Sequence, residues 1–270
     1  MSRVGWVSLL AAAILTGCHD AEPSRIELNP RVALPITPPE VSKQDKILRV
    51  FTHENSFPPL DFGLPASGPP RGIYPEILGA LSRKTGIAWV PVALPPGRVY
   101  EGFRSQDSNV EIGCNPAWRT NEADISLYTD AFATDSNVLA FRKNHRFVLP
   151  KADGPVAPPK TVGTIIGYVY PSLEPLFHAG SLVRQDVSSE KTLMEVLAAG
   201  RVDAIIITRL VALYYLKIGS YDFELSEPRD ALPLSIRIHT NLAWALEPLN
   251  RALRELADDG TIEKIYQKYR

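Results

Sequence analysis

Several features are scarce in this 270-residue sequence. It holds two cysteines, Cys18 and Cys114, which excludes a disulfide-rich scaffold and a metal site built from four cysteines. Its five histidines are scattered singly, and none has a second histidine or cysteine at the spacing of metal ligands. The H-E-x-x-H, G-x-S-x-G and phosphate-loop patterns are also missing. These absences lower the expectation of a zinc enzyme, a hydrolase or an NTPase, and the sequence predicts no cofactor and no metal.

Excess charge and long apolar runs are missing too. The 29 basic and 30 acidic residues give a net charge of −1, which argues against nucleic acid as a partner because phosphate binding needs concentrated Lys and Arg. No apolar run reaches the ~18 residues that a membrane-spanning helix needs. The 45% hydrophobic content, in contrast, predicts a folded core rather than disorder.

The first eighteen residues follow the pattern of a secretion signal. A short basic start precedes an apolar stretch from Val4 to Leu15, which is too short to span a membrane and ends in Leu15-Thr16-Gly17-Cys18. That ending resembles the bacterial lipobox, so we predict a signal peptide over 1–17 and a lipid anchor on Cys18. The alternative is an ordinary signal peptide with an incidental cysteine. The predicted location is the periplasm, where Cys114 would be a lone, buried and inert thiol.

The remaining chain divides by composition. Residues 18–46 carry five prolines and no apolar periodicity, which predicts an extended spacer. From residue 47 onward, apolar strand patterns alternate with helical ones, which indicates an α/β class with mainly parallel sheets flanked by helices. The predicted strands are 47–52, 88–92, 110–113, 137–142, 161–165, 182–184 and 202–207. The predicted helices are 73–85, 190–199, one that ends at Asp258–Gly260 and one that begins at Thr261.

Four stretches resemble the family 3 periplasmic solute-binding proteins, which serve polar amino acid ABC transporters. They are Leu48–Val50 with Phe57–Leu60, Arg71–Ile73 at the start of a helix, Gly200–Ile205, and the ending Leu256–Tyr269. They occur in the family's order across about residues 47 to 270. The resemblance implies a two-lobed periplasmic-binding-protein-like fold with a ligand cleft between the lobes.

The resemblance and the repeated strand–helix pattern together predict where the lobes begin and end. Lobe 1 is expected over 47–138 plus 240–270, with lobe 2 inserted over 143–233. The hinge strands are expected at 139–142 and 234–239. We expect the protein to be a monomer.

The two charged residues that bind the amino acid ligand in this family have no counterparts at the matching positions of this chain. Glu122 occupies the position of the arginine that binds the ligand α-carboxylate in the family. Thr208 occupies the position of the aspartate that binds the ligand ammonium. Arg119, three residues before Glu122, could substitute for the arginine. Losing one partner of a buried charged pair costs ~3–5 kcal/mol. We therefore expect common amino acids to bind weakly and a ligand without an α-ammonium to bind better.

Seven residues are candidate ligand contacts by alignment with the family. They are Phe57, Phe62, Asn115, Trp118, Arg119, Tyr168 and Thr208. Each has a structural alternative: the aromatic residues could pack loops or seal the cleft rim, Arg119 could be an ordinary surface residue, and Thr208 could merely finish a strand.

The resemblance implies a solute-binding lipoprotein that closes over a small polar molecule and delivers it to an ABC permease. The alternative is a sensor or interaction subunit that keeps the fold and signals to an envelope partner. An enzyme is disfavoured, because no spacing distinguishes His53, Glu54 or Glu122 from surface residues.

Overall fold

The computed structural model describes residues 47–54, 56–151, 158–219 and 221–270. The predicted signal peptide, Cys18 and the predicted spacer lie outside the described residues. Ten β-strands occur within the described ranges. They are β1 (Ile47–His53), β2 (Ala88–Leu94), β3 (Val110–Cys114), β4 (Ser126–Tyr128), β5 (Ala133–Arg142), β6 (Lys160–Ile165), β7 (Leu182–Val187), β8 (Ala204–Thr208), β9 (Phe223–Leu225) and β10 (Arg229–His239).

Seven α-helices accompany these strands in the same ranges. They are α1 (Ile73–Thr85), α2 (Val99–Arg104), α3 (Glu174–His178), α4 (Glu190–Ala198), α5 (Arg209–Ile218), α6 (Ala243–Asp258) and α7 (Thr261–Tyr269). Short 3₁₀ helices occupy Pro96–Arg98, Pro116–Trp118, Thr120–Ile125 and Thr240–Leu242. No helix in the described part of the chain has both the length and the apolar character needed to cross a membrane.

The strands pair in the order β2-β1-β3-β10-β5-β8-β6-β7, with β4 added on β10 and β9 added on β5. Strand β1 is parallel to β2 and β3, and β6 is parallel to β7 and β8. The two long strands β5 and β10 contribute antiparallel pairs in the middle. The predicted parallel pairing therefore describes the two outer groups of strands, while β5 and β10 make the sheet as a whole mixed.

Strand β10 connects the two groups because it changes partner along its length. Its first half pairs with β5, from Arg229 to Leu234. Its second half pairs with β3 and β4, from Ser235 to His239. Strand β5 in turn pairs with β8 and β9 through its later residues. Two adjacent strands thus join the β1–β4 group to the β6–β9 group.

The apolar run of β8 is explained by cores on both of its faces. Ile205 and Ile207 belong to the hydrophobic cluster that contains Leu193 of α4. Ala204 and Ile206 belong to the second cluster, with Leu173. Because successive side chains of a strand point to opposite faces, a strand covered on both sides needs apolar residues at every position.

Helix boundaries follow local signals that the sequence displays. Helix α1 ends at Gly86, whose φ of 70° places it in the left-handed region and whose N–H bonds to the carbonyl of Ser82. Helices α6 and α7 are separated by Gly260 at φ 73°. Helix α1 packs against both α6 and α7, which brings the end of the chain back to the β1–β4 group.

Candidate functional site

A cavity lies between the two groups of strands. From one side it is lined by the end of β1, the loop containing Phe57 and Asp61, and Gly113 of β3. From the other side it is lined by the loop after β6, which contains Tyr168, and by Thr208 at the end of β8. Strands β1 and β3, like β6 and β8, are parallel neighbours, and ligands of α/β folds bind outside the carboxyl ends of such strands.

Five of the seven predicted contacts line this cavity. They are Phe57, Trp118, Arg119, Tyr168 and Thr208. Eight of the lining residues are phenylalanine, tyrosine or tryptophan, so aromatic rings form part of the walls. The indole N–H of Trp118 has no hydrogen-bond acceptor among the described residues.

Phe62 and Asn115 are not among the lining residues. The ring of Phe62 instead lies 5.8 Å from that of Tyr214 and 6.0 Å from that of Tyr269, measured between centroids. The Asn115 side chain accepts a hydrogen bond from the Ala117 backbone N–H at 2.9 Å and donates to the carbonyl of Pro233 at 2.7 Å. In this structure Phe62 packs against other aromatic rings, and Asn115 makes hydrogen bonds to the backbone.

Arg119 lines the cavity but is already paired. Its guanidinium donates two hydrogen bonds to the Glu111 carboxylate, one of them from Nε at 3.1 Å. A third group, Nη1, donates to the Tyr100 hydroxyl at 3.3 Å and the Trp118 carbonyl at 3.1 Å. The structure thus gives Arg119 a protein carboxylate in the place where the sequence suggested a ligand carboxylate.

Glu111 is the centre of a buried chain of charges. It also accepts a hydrogen bond from Nη1 of Arg237 at 3.3 Å, and Nη2 of Arg237 donates to Glu122 at 2.7 Å. Burial raises the pKa of Glu111, but the charges of Arg119 and Arg237 outweigh burial and hold that pKa below its ordinary value. Glu122 is 1% exposed and does not line the cavity, so it does not face a ligand.

A contact across the cavity joins β1 to the loop after β6. The Tyr168 hydroxyl lies 3.3 Å from Nε2 of His53, within hydrogen-bond distance. The imidazole ring also lies 4.8 Å from the ring of Phe57. Burial lowers the pKa of His53 to about 4 against the opposing charge of Glu111, so the imidazole is neutral at pH 7.

Asp135 at the start of β5 is a lining residue that the sequence reasoning missed. Burial raises the pKa of its carboxyl from the usual 3.8 to about 6, although the backbone N–H of Ser136 and the charge of Arg209 act in the opposite direction. The polar run Thr134-Asp135-Ser136-Asn137 was an available signal, because polar residues at the start of an otherwise apolar strand often face a site. The predicted strand began only at Asn137.

The described residues offer no cluster of three histidine, cysteine, aspartate or glutamate side chains that could hold a metal ion. Cys114 is 1% exposed, and burial raises the pKa of its thiol well above the ordinary value. A thiol in such surroundings is a poor nucleophile. The cavity itself offers a ligand polar groups, charged groups and aromatic faces.

Comparison with known proteins adds three kinds of likeness. The pattern of the bacterial extracellular solute-binding proteins, family 3, matches residues 48–270. The L-cystine-binding protein TcyA of Bacillus subtilis (strain 168) is 22% identical over 232 residues, which make up 84% of this chain and 82% of TcyA. An ancestral arginine-binding protein, solved with arginine bound, is 20% identical with a TM-score of 0.69 over 83% of this chain and 98% of that one.

The VFT2 domain of BvgS from Bordetella pertussis, solved as a double mutant, is 16% identical with a TM-score of 0.65. The match covers 84% of this chain and 94% of that domain. These solved structures show that the chain has a periplasmic-binding-protein-like α/β fold.

Proposed function

Since this chain belongs to the bacterial extracellular solute-binding proteins, family 3, we propose that it binds a small polar molecule in the cavity and delivers it to an ABC permease. The observation that carries the proposal is the position of the cavity. It lies at the ends of strands from both groups, and β5 and β10 join those groups. Two bodies joined by two strands favour hinge closure around a ligand.

The contact between His53 and Tyr168 supports closure as part of binding. It joins residues 115 positions apart in the sequence, one from each group of strands. A ligand held between the groups would favour the closed arrangement by as much as it prefers that arrangement over an open one. TcyA is an L-cystine-binding protein and the ancestral neighbour was bound to arginine, so we infer a ligand of amino-acid size.

We also propose boundaries for the two lobes. We assign 47–138 plus 240–270 to one lobe and 143–233 to the other, with hinge strands at 139–142 and 234–239. The change of partner along β10 at Leu234 and Ser235 supports the second hinge. Measuring domain rotation between ligand-free and ligand-bound crystals would test the boundaries, because hinge residues absorb the change in backbone dihedral angles.

We also propose that the protein works in the periplasm as a monomer anchored by a lipid on Cys18. Support comes from Leu15-Thr16-Gly17-Cys18 after a short apolar segment. Cells labelled with a palmitate analogue should label the wild type and not Cys18→Ser, and the variant should leave the membrane fraction. Equal labelling of both proteins would contradict the lipid anchor.

A sensing role is a second candidate, supported by the likeness to the BvgS domain and by the displaced amino acid clamp. In that role the partner is an envelope sensor protein rather than a permease. Uptake of a radiolabelled ligand by a deletion strain separates the two roles. Lost uptake supports delivery, whereas unchanged uptake with a lost transcriptional response supports sensing.

Binding itself is tested by thermal unfolding of the purified full-length protein against a panel of cationic, zwitterionic, neutral and anionic metabolites. A ligand at a hundredfold excess over its Kd adds about 2.7 kcal/mol to the free energy of unfolding. Failure of every class to raise the unfolding temperature would refute the solute-binding proposal.

A further inference from the structure

The cavity wall carries more negative than positive charge. Four carboxylates line it, from Asp61, Glu111, Asp135 and Asp230. Arg119 is the only arginine or lysine among the described lining residues. The remaining basic group, His53, is neutral at pH 7 because burial lowers its pKa to about 4. A ligand that enters this cavity therefore meets an excess of negative charge.

Three of the four carboxylates already have partners from the protein. Asp61 accepts hydrogen bonds from the Thr52 hydroxyl and, at 2.7 Å, from the backbone N–H of Gly63. Asp230 accepts from the backbone N–H and the hydroxyl of Ser172, at 3.1 and 2.7 Å.

Glu111, the third carboxylate with partners, binds Arg119 and Arg237. The same pairing occupies the charge of Arg119. A ligand could bind Glu111 or Arg119 only if the buried ion pair between them were broken.

Asp135 differs from the other three. Among the described residues, its one hydrogen-bond donor is the adjacent backbone N–H of Ser136, at 2.7 Å. Arg209 is near enough to lower the pKa of Asp135, but it is exposed and makes no hydrogen bond to it among the described residues. A half-buried carboxylate with a single hydrogen-bond donor is costly to the folded state unless a cation meets it.

Asp135 and Thr208 line the same cavity from neighbouring strands. Asn137, two residues later on β5, pairs with Thr208 of β8 and also lines the cavity. Residues i and i+2 of a strand share a face, so Asp135 points to the same side as Asn137. A carboxylate therefore lines the cavity two positions along β5 from the residue that pairs with Thr208.

We propose that the cavity takes an organic cation, an amine or a guanidine without a carboxylate, whose positive group binds Asp135. The inference rests on the solute-binding function proposed above and names its ligand class. The aromatic walls support it, because the faces of tryptophan and tyrosine rings attract cations. A ligand carboxylate, in contrast, would meet an acidic wall whose one arginine is already bound to Glu111. The sequence led to a different expectation, that a ligand without an α-ammonium would bind better.

Two matched pairs of probes test the inference by calorimetry on the purified full-length protein. Agmatine differs from L-arginine, and cadaverine from L-lysine, only by the absence of the carboxylate. We expect the amine of at least one pair to bind about tenfold or more tightly than its amino acid. Asp135→Asn should weaken that amine about thirtyfold or more, which is the usual effect of removing one partner of a buried charge pair. Asp124→Asn, an exposed residue that does not line the cavity, is the matched control and should bind like the wild type.

Each other result decides against the inference. Tighter binding of the amino acid in both pairs, or unchanged amine binding by Asp135→Asn, would overturn the ligand class and leave the solute-binding function standing. Binding of only neutral or anionic metabolites from the thermal panel would do the same. Binding of no metabolite of any class would overturn both the inference and the proposed function.

Discussion

Replacing Asp135 by asparagine should stabilise the ligand-free protein at neutral pH while removing its ligand. Burial raises the pKa of this carboxyl from 3.8 to about 6 in the folded protein. At about 1.4 kcal/mol for each unit of pKa, the ionised carboxylate costs the fold up to roughly 3 kcal/mol. The Ser136 N–H bonds less strongly to an amide oxygen than to a carboxylate, so we expect a net gain of about 1–3 kcal/mol.

The sign of the pH dependence follows from proton binding. Between pH 4 and 6 the folded state holds more protons on Asp135 than the unfolded chain does. Its contribution to stability is therefore greatest below about pH 4 and is lost as the pH rises through about 6. The difference between wild type and Asp135→Asn should grow over that interval and stay constant above it.

Urea unfolding at several pH values between 4 and 8 measures this difference directly. Asp124→Asn serves as the control for the change of one carboxylate to an amide at an exposed position. A variant that is less stable than the wild type at pH 7.5, or a difference that does not change with pH, would refute the reasoning. A more stable variant that has lost the amine would show that this carboxylate is kept for binding at a cost in stability.

Three further substitutions probe the cavity. Glu111→Gln leaves Arg119 without its buried counter-ion and should lower the free energy of unfolding by about 3–5 kcal/mol in urea; a loss below about 1 kcal/mol would contradict the buried charge chain. Tyr168→Phe removes the hydrogen bond to His53 and should weaken ligand binding about 2- to 12-fold by calorimetry, whereas unchanged affinity would argue against this contact in the closed state. Gly113→Ala should lower the melting temperature and reshape the cavity, since φ is 75° and a Cβ there would overlap a tyrosine ring; an unaltered melting temperature would count against this packing.

Much of the fold could be predicted from local sequence. The strands before α1 and α4 follow from the spacing of apolar residues. The helix ends at Gly86 and Gly260 follow from the left-handed conformation that glycine adopts. Both signals lie within a few residues of the element that they predict. The α/β class followed from the alternation of these elements. The structure extends β5 back to Ala133 and adds α2, α5, β4 and β9, which the sequence reasoning did not predict. The early residues of β5 are polar, and their strand conformation depends on pairing with β10.

The sequence by itself determined the α/β class, most of the strands and helices, the family and five residues that line the cavity, because these depend on local patterns and ordered motifs. Only the tertiary structure decided which charges remain for a ligand. Arg119 is paired with Glu111, and Glu111 with Arg237, which lies 126 positions away. Asp135 obtains its place on the cavity wall through the pairing of β5 with β10 and, two residues later, with β8. The charge available to a ligand depends on which oppositely charged groups folding brings together. These groups are far apart in the sequence, so no local sequence pattern predicts that they pair.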